Sequence, residues 1–210
     1  MGNKRSPFEP DAVYHVYNHG NAEDNIFREA ENYYYFLKRY AHYIYPVART
    51  YAFCLMPNHF HLMVRIRGEE ALRVFYRSKD PQSLQDFADL DFADLVSNQF
   101  KNFLISYSKS FNKRYNRRGS LFLDNINRKP VKDDTYYTHL ICYIHQNPVK
   151  HGFADHPSQW PFSSYQIMLS RKATHLERNE VLDWFGGEKA YLEFHLQHQQ
   201  IQEINPEDFY

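Results

Sequence analysis

Two histidines one position apart, His59 and His61, are the residues of this chain with the clearest potential for chemistry. They lie in the largely apolar run 54–66, which reads CLMPNHFHLMVRI. Side chains two positions apart on a β-strand project from the same face, so the two imidazoles would point the same way. Such a pair begins a divalent metal site, although a hairpin end that merely carries two histidines is the simpler interpretation.

A third ligand and a reacting group are available in the segment 143–147, YIHQN. Helix positions four apart share a face, so Tyr143 and Asn147 would lie together. The Asn147 amide oxygen could join the histidine pair, and such a mixed imidazole and carbonyl set accepts Mg²⁺ or Mn²⁺. Spacing alone leaves His145 and Gln146 as competing ligands, while the shared face favours Asn147.

Tyr143 is then a candidate nucleophile toward a phosphodiester that the metal polarises as a Lewis acid. A phenol has a pKa of ~10 and needs a nearby base, metal or cation to react near neutral pH. Attack would give a covalent phosphotyrosine and a free hydroxyl, and a second hydroxyl could reverse the step and join strands. The competing interpretation is packing, because most helical tyrosines are half-buried and this chain contains 18 tyrosines.

Hydrophobic periodicity and turn residues predict the elements that position these groups. Strands are expected at 12–18, 47–55 and 59–66, with a turn at 56–58 and a short extended stretch at 121–123. Helices are expected at 28–45, at 96–116 and from 133 to 147, where the residue before Pro148 is pushed out of helical geometry. Two short helices around 181–185 and 188–198 flank Gly186 and Gly187.

Length and composition predict one substantial soluble domain with a small addition. We expect a domain at 1–170 and a helical C-terminal appendage at 171–210. The polar stretch 67–95, which ends in two copies of DFADL, is expected to be an extended insertion. The two cysteines lie in apolar contexts, which fits reduced thiols in a cytoplasmic protein. No run approaches the ~18 apolar residues of a membrane span.

The charge of the chain is unevenly distributed, although the net charge is zero. Residues 97–132 contain nine Lys or Arg and one acidic residue, which leaves 16 basic against 24 acidic residues elsewhere. A basic segment on an otherwise acidic protein is typical of a polyanion-binding face, and ordinary solvated surface is the alternative. The candidate phosphate contacts are Lys113, Arg114, Arg117, Arg118, Arg128 and Lys129.

Two of these motifs together, MPNHFHL at 56–62 and YIHQNPV at 143–149, resemble the single-tyrosine HUH transposases. The chain is most similar to the REP-associated tyrosine transposases. The supporting matches are YHVYNHGN at 14–21, RRGSLF at 117–122 and WPFSSY at 160–165. Asparagine at 147 agrees with this branch, because the insertion-sequence transposases usually carry glutamine there.

The resemblance implies an α+β fold with a central antiparallel sheet flanked by helices, on a ferredoxin-like or RRM-like plan. It implies metal-dependent cleavage and joining of single-stranded DNA near hairpins, through a 5′-phosphotyrosine. By position, His59, His61 and Asn147 match the metal ligands and Tyr143 the nucleophile. The expected partner is single-stranded or hairpin DNA, and a monomer is favoured over a homodimer.

Two other functions remain open at this point. The chain could be a catalytically silent regulator that binds DNA or RNA with the same fold, or a structural metal-binding protein. A protein that no longer cuts DNA has no chemical need for His59, His61, Tyr143 and Asn147 together. Their joint presence therefore favours the enzyme.

Overall fold

The computed structural model describes residues 6–79, 90–123 and 126–199. Four strands form one antiparallel sheet in the order β2-β3-β1-β4. The strands are β1 (Val13–His19), β2 (Ala48–Met56), β3 (His59–Ile66) and β4 (Asn127–Pro130). The main helices are α1 (Ala30–Ile44), α2 (Glu69–Lys79), α3 (Phe92–Arg114) and α4 (Tyr137–Lys150). Shorter helices follow: α5 (Tyr165–Met168), α6 (Arg178–Phe185) and α7 (Glu188–Gln199).

The expected α+β class with a central antiparallel sheet is confirmed. Without α2, the order up to β4 is β-α-β-β-α-β, which is the ferredoxin-like succession. In that part of the chain which the structure covers, no helix is both long and apolar enough to cross a membrane.

The two faces of the sheet are covered by different helices. Phe60 projects to one face, where it packs on Phe36 of α1, and Phe36 in turn packs on Phe103 of α3. His59 and His61 project to the opposite face by strand alternation, and α4 packs there against β2 and β3. The fold thus separates an aromatic core from a polar face that α4 covers.

The start of α3 and the stretch before it differ from the expected positions. The helix α3 starts at Phe92 rather than at residue 96, because the Asp91 carboxylate caps it by accepting from the Asp94 N–H. The prediction of an extended stretch at 67–95 is wrong for residues 69–79, which form α2 and bury Leu72 and Phe75. Residues 80–89, including most of the first DFADL copy, lie outside the described residues.

The predicted end of α4 at Asn147 is also wrong, because the helix continues through Pro148 to Lys150. Proline removes the N–H that would bond to the Ile144 carbonyl. The side-chain amide of Asn147 compensates locally: it donates to the Tyr143 carbonyl at 2.9 Å and reaches the Ile144 carbonyl at 3.5 Å. The helix therefore tolerates the proline two residues before its end.

The fourth strand was not predicted. The expected stretch at 121–123 contributes only an isolated bridge between Phe122 and Gly20, and β4 follows at Asn127–Pro130. The free edge of β2 is covered by the segment 160–164, where the Leu55 N–H donates to the Phe162 carbonyl.

The C-terminal helices pack on α4 and on the sheet. Arg49 of β2 pairs with Glu177 and Glu180, and Arg65 of β3 also pairs with Glu180. These ion pairs attach the start of α6 to the sheet edge. The division into a domain at 1–170 and an appendage at 171–210 stays a prediction.

Candidate active site

Strand pairing brings four histidines to one face of the sheet. In the β1–β3 register, His19 lies opposite His59 and Tyr17 lies opposite His61, with His15 two positions before Tyr17. The His19 and His59 rings stack at 4.7 Å between centroids, and the His59 and His61 rings meet edge to face at 5.2 Å. The predicted common face of the two histidines of β3 is therefore what the structure has.

Hydrogen bonds determine which nitrogen of each ligand candidate is left for a metal. His59 Nδ1 lies 2.7 Å from Asn58 Oδ1, an acceptor, so Nδ1 carries the proton and Nε2 keeps a lone pair. His61 Nδ1 lies 2.9 Å from His15 Nε2. If His61 Nδ1 donates in this bond, its Nε2 also keeps a lone pair, and His15 acts as the acceptor that orients it.

Tyr143 lies against the histidine pair, as the sequence predicted. Its ring meets the His61 ring edge to face at 5.6 Å and the His15 ring at 6.0 Å between centroids. Burial raises the pKa of the Tyr143 hydroxyl, and a hydrogen bond with Asn147 partly offsets this effect. The Lys150 ammonium lies 5.8 Å from the Tyr143 ring centroid.

Asn147 joins the two halves of the site. Its amide interacts with the His59 imidazole as well as with the Tyr143 hydroxyl, raising the pKa of the former and lowering that of the latter. Because its Nδ2 donates to the backbone of α4, the Oδ1 atom is the one left for a ligand. The competing candidates turn elsewhere: His145 bonds to Ser164 and His195, and Gln146 donates to the His195 carbonyl.

Burial keeps the site histidines neutral. It lowers the pKa of His15 to about 3 and that of His59 to about 4, and it lowers the pKa of His61 well below its usual value. Nearby cationic or titratable groups add to the effect, Lys129 at His15 and His15 at His61. Neutral imidazoles are the form that binds metals.

The donor set is two imidazoles and one amide oxygen. Within 6–79, 90–123 and 126–199 no group of three His, Cys, Asp or Glu side chains could hold a metal ion. Asn147 is the amide next to the two imidazoles.

Sequence reasoning gave no role to His15, His19, His151 or Lys150. His15 and His19 alternate along β1 with Tyr17, and this period of two was the signal that could have grouped them with His59 and His61. His151 directly follows α4, and its ring lies 5.1 Å from that of His59. The sequence predicted that Asn147 lies beside His59 and His61, but it gave no signal that His151 also reaches the His59 ring.

The six predicted phosphate contacts fall into two groups. Arg114 pairs with Glu29 at 2.5 Å, Arg117 pairs with Asp24 at 2.7 Å, and Arg128 donates to the Ser6 carbonyl at 2.6 Å. Lys113 and Arg118 are exposed at the same end of α3, and Lys129 lies opposite His15 in the β1–β4 register. Their role in binding DNA stays a prediction.

A groove of about 610 Å³ runs between α3 and the residues 119–122, 126 and 128, with Lys101, Lys109 and Arg128 along it. It lies beside α3 on the Phe60 side of the sheet, away from Tyr143. The groove widens the basic surface without being part of the histidine and tyrosine site.

The fold and the site define an α+β protein that holds a histidine pair and a tyrosine on facing elements. No family model matches the chain. A putative REP-associated tyrosine transposase of Haemophilus influenzae Rd is 26% identical over 121 residues, covering 55% of this chain and 58% of that protein. A REP-associated tyrosine transposase of Escherichia coli K12 is 33% identical over 60 residues, covering 28% and 36%. The alignments thus span about half or less of these relatives.

A solved structure of a REP-associated tyrosine transposase bound to a REP hairpin superposes with a TM-score of 0.53 at 16% identity, covering 81% of this chain and 87% of that one. This likeness shows that the two chains share a fold. The two curated relatives confirm the resemblance that the motifs indicate: the chain is similar in sequence to proteins named REP-associated tyrosine transposase.

Proposed function

We propose that this protein is a metal-dependent single-stranded DNA endonuclease and strand transferase that cuts near DNA hairpins through a covalent 5′-phosphotyrosine on Tyr143. The observation that carries the proposal is the position of the Tyr143 ring edge-on against His61, with Asn147 interacting with both Tyr143 and His59. The relatives named REP-associated tyrosine transposase support the same activity.

His59, His61 and Asn147 fit a divalent cation by the chemistry of their free atoms. Two imidazole lone pairs and one amide oxygen are all electron-pair donors, which is the chemistry that a cation site requires. Imidazole and carbonyl oxygen with open positions for water and phosphate suit Mn²⁺ or Mg²⁺. When bound, such an ion would withdraw charge from the phosphate oxygens of the scissile group.

The reaction would then have two steps, cleavage of one strand by Tyr143 and joining of another. The Tyr143 oxygen forms a bond to phosphorus as the bond from phosphorus to the 3′ oxygen breaks, and the phenol proton is lost while the 3′ oxygen gains one. Lys150, whose ammonium lies 5.8 Å from the Tyr143 ring centroid, would supply a positive charge next to the reacting group. A second 3′ hydroxyl reverses the step and joins strands.

The DNA partner is proposed from charge and from the relative's complex. The solved relative is bound to a REP hairpin, and the exposed Lys113 and Arg118 lie at the end of α3. Free, buried Cys54 and Cys142 fit a reducing compartment such as the cytoplasm. A monomer is the favoured state.

The decisive experiment incubates the full chain with hairpin-bearing single-stranded DNA and Mn²⁺ or Mg²⁺, and measures a covalent protein–DNA adduct on a denaturing gel. We expect an adduct with the wild type and none with Tyr143→Phe, which removes only the nucleophilic oxygen. Tyr136→Phe, on an exposed tyrosine just before α4, is the matched control and should form the adduct normally.

Tight DNA binding by the wild type without any adduct would contradict the enzyme and favour the silent regulator. An adduct that persists in Tyr143→Phe would show that another residue is the nucleophile. Adding a chelator should stop adduct formation, and an adduct formed at the full rate in chelator would contradict the metal requirement.

A further inference from the structure

The face of α4 opposite Tyr143 carries a second polar feature that the proposed reaction does not use. His145 has no exposed surface, and His195 of α7 is 1% exposed. His145 Nδ1 lies 3.0 Å from His195 Nε2, and His145 Nε2 lies 2.7 Å from the Ser164 hydroxyl. We refer to Ser164, His145 and His195 as the histidine relay.

The direction of every hydrogen bond in the histidine relay follows from its two backbone ends. His195 Nδ1 lies 2.8 Å from the Tyr191 carbonyl, which only accepts, so Nδ1 donates and His195 Nε2 accepts. His145 Nδ1 is then the donor to His195, and His145 Nε2 accepts from the Ser164 hydroxyl at 2.7 Å, a shorter contact than the 3.2 Å from that hydroxyl to the Phe53 carbonyl. Ser164 Oγ in turn accepts from the Phe53 N–H at 2.8 Å.

The histidine relay connects three elements that determine the geometry of the site. It begins at Phe53 of β2, and the next residue, Cys54, is the strand partner of His61. It crosses α4 between Tyr143 and Asn147, and it ends on the backbone of α7. The Tyr191 hydroxyl lies 3.2 Å from His145 Nδ1 and adds a second contact from α7.

Burying two imidazole rings costs free energy of folding, which is unexpected if His145 and His195 only fill space in the core. Burial lowers the pKa of His145 well below its usual value and that of His195 to about 4, so both rings are buried as neutral polar groups. Replacing both partners of a buried hydrogen bond by apolar groups of the same shape can be nearly neutral for stability. What apolar packing does not supply is direction, because hydrogen bonds fix the rotation and height of a helix more narrowly than apolar contacts do.

We infer that His145 and His195 are positioning residues: through the histidine relay, α7 holds α4 so that the Tyr143 hydroxyl stands in reach of the phosphate beside His59 and His61. The inference rests on the proposed function for its catalytic readout. Its structural part, the coupling of α7 to the site, can be measured without catalysis.

Three variants test the inference in the full chain. His195→Phe removes the acceptor for His145 inside an aromatic pocket formed by Tyr165, Phe185 and Tyr191. His195→Gln keeps an acceptor oxygen. His198→Phe is the matched control. His198 lies about one turn further along α7, and its Nδ1 bonds to the carbonyl four residues earlier, that of Phe194, as His195 Nδ1 does to Tyr191. None of the substituted positions takes part in the ion pairs of Arg49 and Arg65 with Glu177 and Glu180, so the variants leave these contacts of α6 with the sheet in place.

The first readout is the rate of adduct formation at saturating DNA, together with the dissociation constant for the same DNA. We expect His195→Phe to slow the adduct by at least about tenfold with less than a twofold change in DNA affinity, since small displacements of a reacting group have large effects on rate. His195→Gln should recover most of the rate, and His198→Phe should match the wild type. Equal losses of rate and affinity, or no rescue by glutamine, would overturn the positioning role.

The second readout is the NMR signal of the His61 ring in histidine-labelled protein. The Tyr143 ring lies edge-on at 5.6 Å from it, so a shift of α4 changes the ring current at His61. We expect His195→Phe to move this signal and His198→Phe to leave it in place. An unmoved His61 signal in a folded His195→Phe protein would refute the inference. A moved signal in a protein whose wild type forms no adduct would refute the proposed function alone.

Discussion

Two groups of histidines lie on opposite sides of α4 and differ in how their hydrogen bonds end. The histidine relay ends at both sides on backbone groups, so each of its ring nitrogens has a partner. The site histidines, by which we mean His15, His59 and His61, end on two ring nitrogens next to Asn147 and Tyr143. Burial keeps both groups neutral and does not distinguish them. Among the described residues, the Nε2 atoms of His59 and His61 meet no backbone donor or acceptor; we call such a nitrogen an unsaturated end, and it indicates where a ligand binds.

The largest expected effect comes from removing an unsaturated end. His61→Ala deletes one metal ligand, and we expect adduct formation to fall by at least about 10²-fold. DNA affinity should change little, because phosphate contacts supply most of the affinity. The measurement is the single-turnover adduct rate in Mn²⁺, with His42→Ala on the outer surface of α1 as the control. A His61→Ala protein that reacts at the wild-type rate would break the distinction between the two groups.

A smaller effect is expected from His15, which contacts His61 Nδ1 and would not bind the metal itself. His15→Leu removes the acceptor that orients His61, and changes of this kind lower metal affinity by about 10- to 100-fold. His15→Gln keeps an acceptor oxygen and should lose much less. Titration calorimetry with Mn²⁺ on the DNA-free protein measures both, and equal affinities of the leucine variant and the wild type would show that His15 does not orient His61.

Both groups should make the fold sensitive to acid. The pKa values of His15, His59 and His195 are lowered by burial to about 3, 4 and 4, so below about pH 6.5 the unfolded chain binds protons that the folded chain does not. Stability is therefore fully present above pH 6.5 and falls as the pH is lowered, by about 1.4 kcal/mol per pH unit for each such histidine. Urea unfolding at pH 7, 6 and 5 measures the slope, which should be shallower by about one histidine in His195→Gln. An unchanged slope would mean that His195 is protonated in the fold.

The smallest effect is expected at two neighbouring arginines, of which one has its hydrogen-bonding groups paired within the protein and the other is exposed. The Arg117 side chain ends on Asp24 and on the Ser120 carbonyl, whereas Arg118 is exposed. Arg118→Glu should weaken DNA binding and reduce the salt dependence by about one charge without changing stability. Arg117→Glu should also lower the melting temperature, because it breaks the pair with Asp24. Identical effects of the two variants on melting temperature would contradict the assignment.

Much of the site was predictable because its signals are local. The alternation of β3 predicts that His59 and His61 share a face, and helical spacing does the same for Tyr143 and Asn147. The bounds of β3 agree with those expected. The docking of α4 beside β3, which no local signal fixes, came from the resemblance of the two motifs taken together.

What could not be predicted depends on pairing between distant segments. The strand β4 consists of Asn127, Arg128, Lys129 and Pro130, which have little strand propensity, and it forms because β1 offers an edge. The part played by His15 requires the β1–β3 register, which the sequence does not contain. The histidine relay joins residues 50 apart in the chain, His145 and His195, and the sequence favoured neither as a partner of the other.

Pro148 has a consequence for the chemistry of Asn147. An amide side chain has two ends of nearly equal size, and only the oxygen end can bind a cation. Because the proline deprives the Ile144 carbonyl of its helical donor, that carbonyl and its neighbour attract the nitrogen end of Asn147 and prevent the amide from flipping. Replacing Pro148 with alanine would restore a backbone bond and strengthen the helix, yet it would weaken the preference that keeps the oxygen facing outward. The backbone hydrogen bond that Pro148 removes from the helix thus determines the orientation of the Asn147 amide.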